Sequence, residues 1–357
     1  MERTSDTTKE AAAGPGAATI ADPWRPRADD WLRAAPSRYA GKPDRPLFIG
    51  GCRRSGTTLL RSMLDNHPDL AVPAETNFVL PLLRFRARYG DLRDPANRRA
   101  LAEWIFDTEG HGGRRIRAGK VGREEAIARV VAAPPTLGSL FGALFAMYAE
   151  VHRKRRWGDK RPAYAGHVKS IFELFPDAQF VNVVRDPRGA VASQIAIGWY
   201  RTNIAVPAST VAWEVAVDRV DAFARRLRPD QLLDVRYEDM VRDPAATLER
   251  ICAFAGLRGG DTIEQMVTAK RRGRFREGWH DRLAEPVTSA PIDSWRERLA
   301  PEAVALVEHA TRSRFDRFGY RGQPDLQATP DPAALEQLEQ QRRRARRPIA
   351  AESSRWP

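Results

Sequence analysis

This sequence predicts an α/β fold, a central parallel β-sheet flanked by helices with a mainly helical insertion, on three observations. Short apolar runs alternate with helical patterns along the middle of the chain, as they do when parallel strands are joined by crossover helices. One of those runs, Leu47-Phe48-Ile49, enters a Gly-rich turn and leaves as an amphipathic pattern carrying Leu59, Leu60, Met63 and Leu64. Lastly, the residues able to do chemistry fall at the carboxyl ends of the strand-like runs, where open α/β sheets bind their ligands.

The elements follow in order. Residues 46–51 read as a strand and 57–66 as a helix, with a second short strand at 70–75, LAVPAE. Residues 80–157 are mostly helical in pattern, broken by the Gly/Arg-rich stretch 110–120. A helix is expected from Tyr164 to Phe175, and AQFVNVVR (178–185) reads as a buried strand. Pro187 then opens a helix at the position where its missing N–H costs nothing. Another helix spans 207–227, LLDVRYED (232–239) reads as a strand, and residues 244–257 form a helix closed by Gly256. A domain from 44 to 322 results, with 84–157 as the helical insertion and the acceptor side. Residues 1–43 are expected to be a mobile leader, and 323–357 a basic mobile tail with a short helical pattern ending in QQRRRARR.

Composition narrows the classes. With 357 residues, 42% hydrophobic and 29% charged, the chain suits a soluble globular protein with one substantial core. No run approaches a membrane span, and the N-terminal stretch lacks the apolar segment of a secretory signal, so a cytoplasmic protein is expected. Two widely separated cysteines, Cys52 and Cys252, build neither a disulfide framework nor a metal site. The net charge of +13 is spread along the chain without a nucleic-acid-binding motif, which speaks against a nucleic-acid partner.

The turn after the first strand has the spacing of a phosphate-cradling P-loop, Gly51 to Gly56, but Thr57 stands where an NTP-cleaving loop carries lysine. Arg53, Arg54, Ser55, Gly56, Thr57 and Thr58 can still hold an anion at a helix N-terminus. In VVRDPRGAVASQI (183–195), Arg185 ends a buried strand, Asp186 can cap the next helix, and Ser193 lies about two turns into it. A strand-end arginine and a helix hydroxyl can clamp a second phosphate. Two separated anion sites imply a nucleotide phosphorylated at both ends of its ribose.

On these residues the chain resembles the PAPS-dependent sulfotransferases, whose donor is 3′-phosphoadenosine 5′-phosphosulfate. The resemblance is to the tyrosylprotein-sulfotransferase-like branch in particular, and it runs through motifs between residues 46 and 320. It implies that the RSGTT loop, Arg54 to Thr58, holds the 5′-phosphosulfate and that Arg185 and Ser193 hold the 3′-phosphate. By the same resemblance Glu75, in Ala74-Glu75-Thr76, is the catalytic base, and Lys160, in WGDKRP, is a catalytic cation assisted by Arg54. Tyr237, in RYEDMVRDP, is implied beside the adenine. The stretch TSAPIDSWRERL (288–299) matches a loop that folds over the nucleotide, and Ser289, with Thr288 and Ser294 as alternatives, would give it a hydroxyl contact. The lysine of the tyrosylprotein branch has no evident counterpart here.

The implied activity is transfer of a sulfuryl group to a hydroxyl on a small molecule, glycan, lipid head or peptide, with no metal. Each residue also has a structural explanation: Glu75 as a solvated carboxylate, Lys160 as surface charge, Arg185 as a partner of Asp186 or Glu238, Ser193 as an ordinary helix hydroxyl, Tyr237 as core. Cys52 reads as small packing, since nothing pairs it with a histidine. The rival readings are a P-loop nucleotide kinase or NTPase, weakened by Thr57 in place of lysine, and a non-catalytic nucleotide- or nucleic-acid-binding protein.

Overall fold

The computed structural model describes residues 45–84, 89–107, 116, 120–198, 200–269 and 287–346, together with the backbone of a small ladder, Arg38–Tyr39 with Lys42–Pro43. Most of the expected leader, most of the 110–120 break and the last residues of the tail lie outside the described residues.

Five strands form the central sheet: β1 Leu47–Gly51, β2 Leu70–Ala71, β3 Arg156–Lys160, β4 Gln179–Val184 and β5 Leu232–Arg236. All their pairings are parallel, in the order β2-β3-β1-β4-β5. The helices up to the insertion's end are α1 Thr57–Leu64, α2 Val79–Arg84, α3 Pro95–Asp107, α4 Arg123–Ala132 and α5 Leu137–Val151. A 3₁₀ turn, Pro162–His167, leads into α6 Val168–Leu174, and α7 Pro187–Ile195 and α8 Ala205–Ala224 follow β4. Beyond β5 come α9 Tyr237–Arg242, α10 Pro244–Ala255, α11 Asp261–Thr268, α12 Trp295–Arg298, α13 Pro301–Thr311, α14 Phe315–Phe318 and α15 Pro332–Arg346.

Period-two alternation on β1 divides the core between the two faces of the sheet. Leu47 and Ile49 join Leu60, Met63, Val181 and Val183 on one side. Phe48 packs on the other with Tyr164, Trp157, Phe175 and the insertion's Phe145, whose ring stacks on Trp157 with centroids 4.9 Å apart. Each such fully buried ring contributes about 1.5–3 kcal/mol. The insertion helices therefore pack on the Phe48 face of the sheet, together with α6 and α8.

Four expectations change. Residues 156–157 close the expected helical insertion at 84–157, and RWGDK, with no apolar run, carries no strand signal. It is a strand by tertiary context, pinned between β1 and β2, with Trp157 supplying the apolar contact and Gly158 admitting the Leu47 carbonyl within 2.5 Å of where a Cβ would stand. β2 is two residues long, not six. Tyr237, Glu238 and Asp239 belong to the first turn of α9 rather than to β5; two carboxylates there favour a helix N-terminus. Finally, residues 332–346, expected within a mobile tail, form α15. Its Leu338 is buried beside Val211 and Leu306, and Arg342 forks onto the buried carboxylate of Glu214 at 2.6 and 2.9 Å.

Candidate active site

The loop between β1 and α1 is shaped by close approaches. A Cβ at Gly51 would stand 2.2 Å from the Val183 carbonyl, and one at Gly56 would stand 2.5 Å from the Tyr237 ring. Gly56 is left-handed at φ 89°, and so is Arg54 at φ 68°, a conformation that costs a non-glycine residue about 1–3 kcal/mol and is held only where its surroundings insist. Here they do. Arg185 Nη1 donates to the Arg54 carbonyl at 3.0 Å, and Arg54 Nε donates to Ser193 Oγ at 3.1 Å. Gln194 Nε2 reaches the Arg53 carbonyl at 3.4 Å, while the Arg53 side chain is exposed. Ser55 is fully buried with its hydroxyl unpartnered. Cys52 is buried, and burial pushes its thiol up to about 12, so it is no nucleophile at neutral pH.

Arg185 stands at the end of β4 as the strand pattern requires. Its carbonyl accepts from Trp213 Nε1 at 2.9 Å, its Nη2 donates to the Pro291 carbonyl at 2.8 Å, and its guanidinium lies 4.3 Å over the Tyr237 ring. It pairs with neither Asp186 nor Glu238: Asp186 caps α7 and binds Arg188, and Glu238 accepts the Asp186 N–H at 2.9 Å. The Arg185 Nε is buried and unpartnered. Burial and the charge of Arg185 hold the Arg54 guanidinium below its ordinary value. Two crowded guanidiniums and an orphan N–H suit a phosphate.

A second cluster sits at the end of β3. Lys160 has a side chain only 2% exposed, and its Nζ donates to Glu75 Oε2 at 2.9 Å and to Thr58 Oγ1 at 3.2 Å. Burial lowers its pKa, and the Glu75 carboxylate works against that shift. Glu75 is itself 40% exposed, so it can meet a substrate. Its loop is held from below by Arg61 of α1, whose Nε donates to the carbonyls of Val72 and Pro73 at 2.8 and 3.2 Å, while Asp65 accepts the Val72 N–H.

The structure thus brings Lys160, Glu75 and Thr58 together, and separately Arg54, Ser193, Arg185 and Tyr237. Arg54 was expected at the transferring group beside Lys160; its bond to Ser193 and its carbonyl's bond to Arg185 join it to the second cluster. Tyr237 is a buried support for Gly56 and Arg185, and Ser289 is exposed on a segment that reaches Arg185 through Pro291. Sequence reasoning missed Gln194, Trp213 and Pro291 as supports, because amide, indole and carbonyl contacts to backbone carry no motif. Among the described residues no group of three His, Cys, Asp or Glu is placed to hold a metal, and no helix is long and apolar enough to cross a membrane.

A family model described as the sulfotransferase family matches residues 46–261. Protein-tyrosine sulfotransferase A of Caenorhabditis elegans is 25% identical over 283 residues, covering 77% of this chain and 67% of that one. Protein-tyrosine sulfotransferase 2 of Gallus gallus is 26% identical over 305 residues, covering 81% and 73%. The omega-hydroxy-beta-dihydromenaquinone-9 sulfotransferase of Mycobacterium bovis is also 26% identical, over 324 residues, covering 82% and 78%. In fold the chain is similar to a sulfotransferase domain of the olefin synthase of Synechococcus PCC 7002, with a TM-score of 0.58, 22% identity, and 81% of this chain matched to 99% of that one.

Proposed function

Because this chain belongs to the sulfotransferase family and is an enzyme of that type, we propose that it carries the sulfuryl group of PAPS to an acceptor hydroxyl and releases adenosine 3′,5′-bisphosphate. The observation that carries this reading is the placement of Lys160 Nζ between Glu75 Oε2 and Thr58 Oγ1. A base that can meet an acceptor, a cation and the first turn of an anion-binding helix then lie within one hydrogen-bonded group.

The Glu75 carboxylate takes the proton of the acceptor hydroxyl as its oxygen attacks sulfur. The bond from sulfur to the bridging phosphate oxygen breaks in line with the attack, and the electron pair leaves on the 5′-phosphate. Lys160 is placed to meet the charge that grows on that oxygen, while Thr57, Thr58 and the loop amides of Ser55 and Gly56 hold the phosphate. Arg185, Ser193 and Arg54 hold the 3′-phosphate, with Tyr237 as the floor beneath Arg185. Moving Arg54 to this second pocket leaves Lys160 as the cation at the transferring group. Ser289, on the segment anchored by Pro291, covers the nucleotide, and Arg53 adds charge at the loop's exposed edge.

The relatives' names divide the acceptor between a protein tyrosine and an omega-hydroxyl of a quinone, so the acceptor here is a hydroxyl, phenolic or aliphatic. Thr57 in place of a P-loop lysine continues to weigh against a nucleotide kinase. Cys52 and Cys252, both buried and unpaired, suit a reducing compartment, and a cytoplasmic setting is part of the reading.

Glu75→Gln is the test. Turnover of PAPS against a panel of a tyrosine peptide, a phenol and a long-chain alcohol should fall by about 10²–10⁴-fold, while calorimetric binding of adenosine 3′,5′-bisphosphate stays near that of the parent. A variant as active as the parent would remove Glu75 from the mechanism.

A further inference from the structure

Beside the Lys160–Glu75 pair lies a second bond between the same two segments. Asp159 immediately precedes Lys160 on β3, and Thr76 immediately follows Glu75 on the loop after β2. Thr76 Oγ1 donates to Asp159 Oδ2 at 3.0 Å, and the Tyr164 hydroxyl donates to the same oxygen. All three residues are fully buried. Tyr164 is fixed in turn by the core, its ring meeting Phe48 edge-on at 5.6 Å. The other carboxylate oxygen, Oδ1, is buried and unpartnered. A fully buried carboxyl with half its bonding capacity unused is a costly feature, and burial pushes it up to about 6.

We infer that Asp159, acting through Thr76 and anchored by Tyr164, is a positioning residue that fixes Glu75 against Lys160. The argument is geometric. Side chains alternate along β3, so Lys160 and Asp159 point to opposite faces of one strand end. Glu75 and Thr76 meet them one to one, and the two segments are clasped at two points. With the Lys160–Glu75 bond alone, the loop could pivot about a long, flexible lysine. The second bond joins a short buried hydroxyl to a short buried carboxylate and removes that freedom. Arg61 holds the loop further back, at the Val72 and Pro73 carbonyls. Placement of a base to within a fraction of an ångström is worth large factors in rate.

This inference rests on the reading of Glu75 as the base, and the experiment separates the two. Thr76→Val keeps the shape and removes the hydroxyl; Thr76→Ser restores it. In the best acceptor assay of the panel, Thr76→Val should lower kcat by about 10–100-fold with KM for PAPS unchanged, and Thr76→Ser should recover most of the loss. Calorimetric affinity of Thr76→Val for adenosine 3′,5′-bisphosphate should stay within about twofold of the parent, which a general loosening of the fold would not allow. A crystal structure of Thr76→Val with the bisphosphate should have the Glu75–Lys160 contact beyond hydrogen-bond range, and this readout needs no acceptor. An unchanged contact, or a kcat equal to the parent's while Glu75→Gln is dead, overturns the positioning role alone. A fully active Glu75→Gln would overturn the base assignment itself.

Discussion

Arg185 at the end of β4 donates to the carbonyl of Arg54 across 3.0 Å, so the loop after β1 and the end of β4 are built as one unit. The bond supports the left-handed backbone of Arg54 and directs that residue's guanidinium to Ser193 on α7. If these two segments hold the two phosphates as proposed, changes at one site should be felt at the other, though unequally.

Arg185→Ala tests that inequality. It removes the guanidinium over Tyr237 and the only described bond to the Pro291 carbonyl from β4. Affinity for adenosine 3′,5′-bisphosphate should fall by about 2–3 kcal/mol, the range for hydrogen bonds to charged groups. Affinity for AMP, which lacks the 3′-phosphate, should fall by a smaller amount set by the loosened loop. Calorimetric titration of both nucleotides into parent and variant measures the difference. Equal losses would mean that Arg185 supports the loop and does not hold the 3′-phosphate.

Lys160→Met should separate stability from activity. The lysine is buried, and burial lowers its pKa, so holding its charged form there costs the fold desolvation. Its partner Glu75 is 40% exposed and stays hydrated when the lysine is gone. The variant should gain about 1 kcal/mol of stability in urea unfolding and lose turnover. A variant that is less stable would show that the bond to Glu75 contributes more to holding the loop than burial of the lysine costs, and a variant with parent turnover would remove Lys160 from the chemistry.

Much of this was legible in the sequence. β1, the loop and α1 announced themselves because apolar alternation, glycines and an amphipathic helix agree over residues 46–66. β4 was legible for a similar reason: both its faces are buried, so it reads as one apolar run ending at Arg185. β3 was not, since Arg156, Asp159 and Lys160 are buried by partners that are distant in sequence, such as Glu75, Thr76 and Gln179. The same cause hid α15. A basic run reads as a solvated tail unless the acid it meets is known, and Glu214 lies 128 residues before Arg342. The candidate site residues carry motifs, but their grouping does not: the bonds of Arg54 to Ser193 and of Arg185 to the Arg54 carbonyl join residues more than 130 positions apart.

Asp159 makes the pH dependence of stability a direct probe of the clasp. Its folded-state pKa is raised to about 6 from an ordinary value of 3.8, chiefly by burial, so the fold binds this proton more tightly than the unfolded chain does. A raised carboxyl contributes stability that is fully present below the unfolded value and is lost as pH rises through the folded one. The window is therefore about pH 4 to 6, and the shift corresponds to about 3 kcal/mol across it. Asp159→Asn is neutral throughout and keeps an oxygen for Thr76 and Tyr164, so it should be free of this dependence. Urea unfolding of parent and variant at pH 4, 5, 6 and 7 reads the contribution, because titrating groups remote from Asp159 cancel in the difference and Lys160 and Tyr164, which face it, are the two that do not. The variant's advantage should grow by about 2 kcal/mol from the lowest to the highest pH. A difference that stays flat would mean that the Asp159 carboxyl titrates as it does in the unfolded chain, and that its burial between Thr76 and Tyr164 costs the fold nothing.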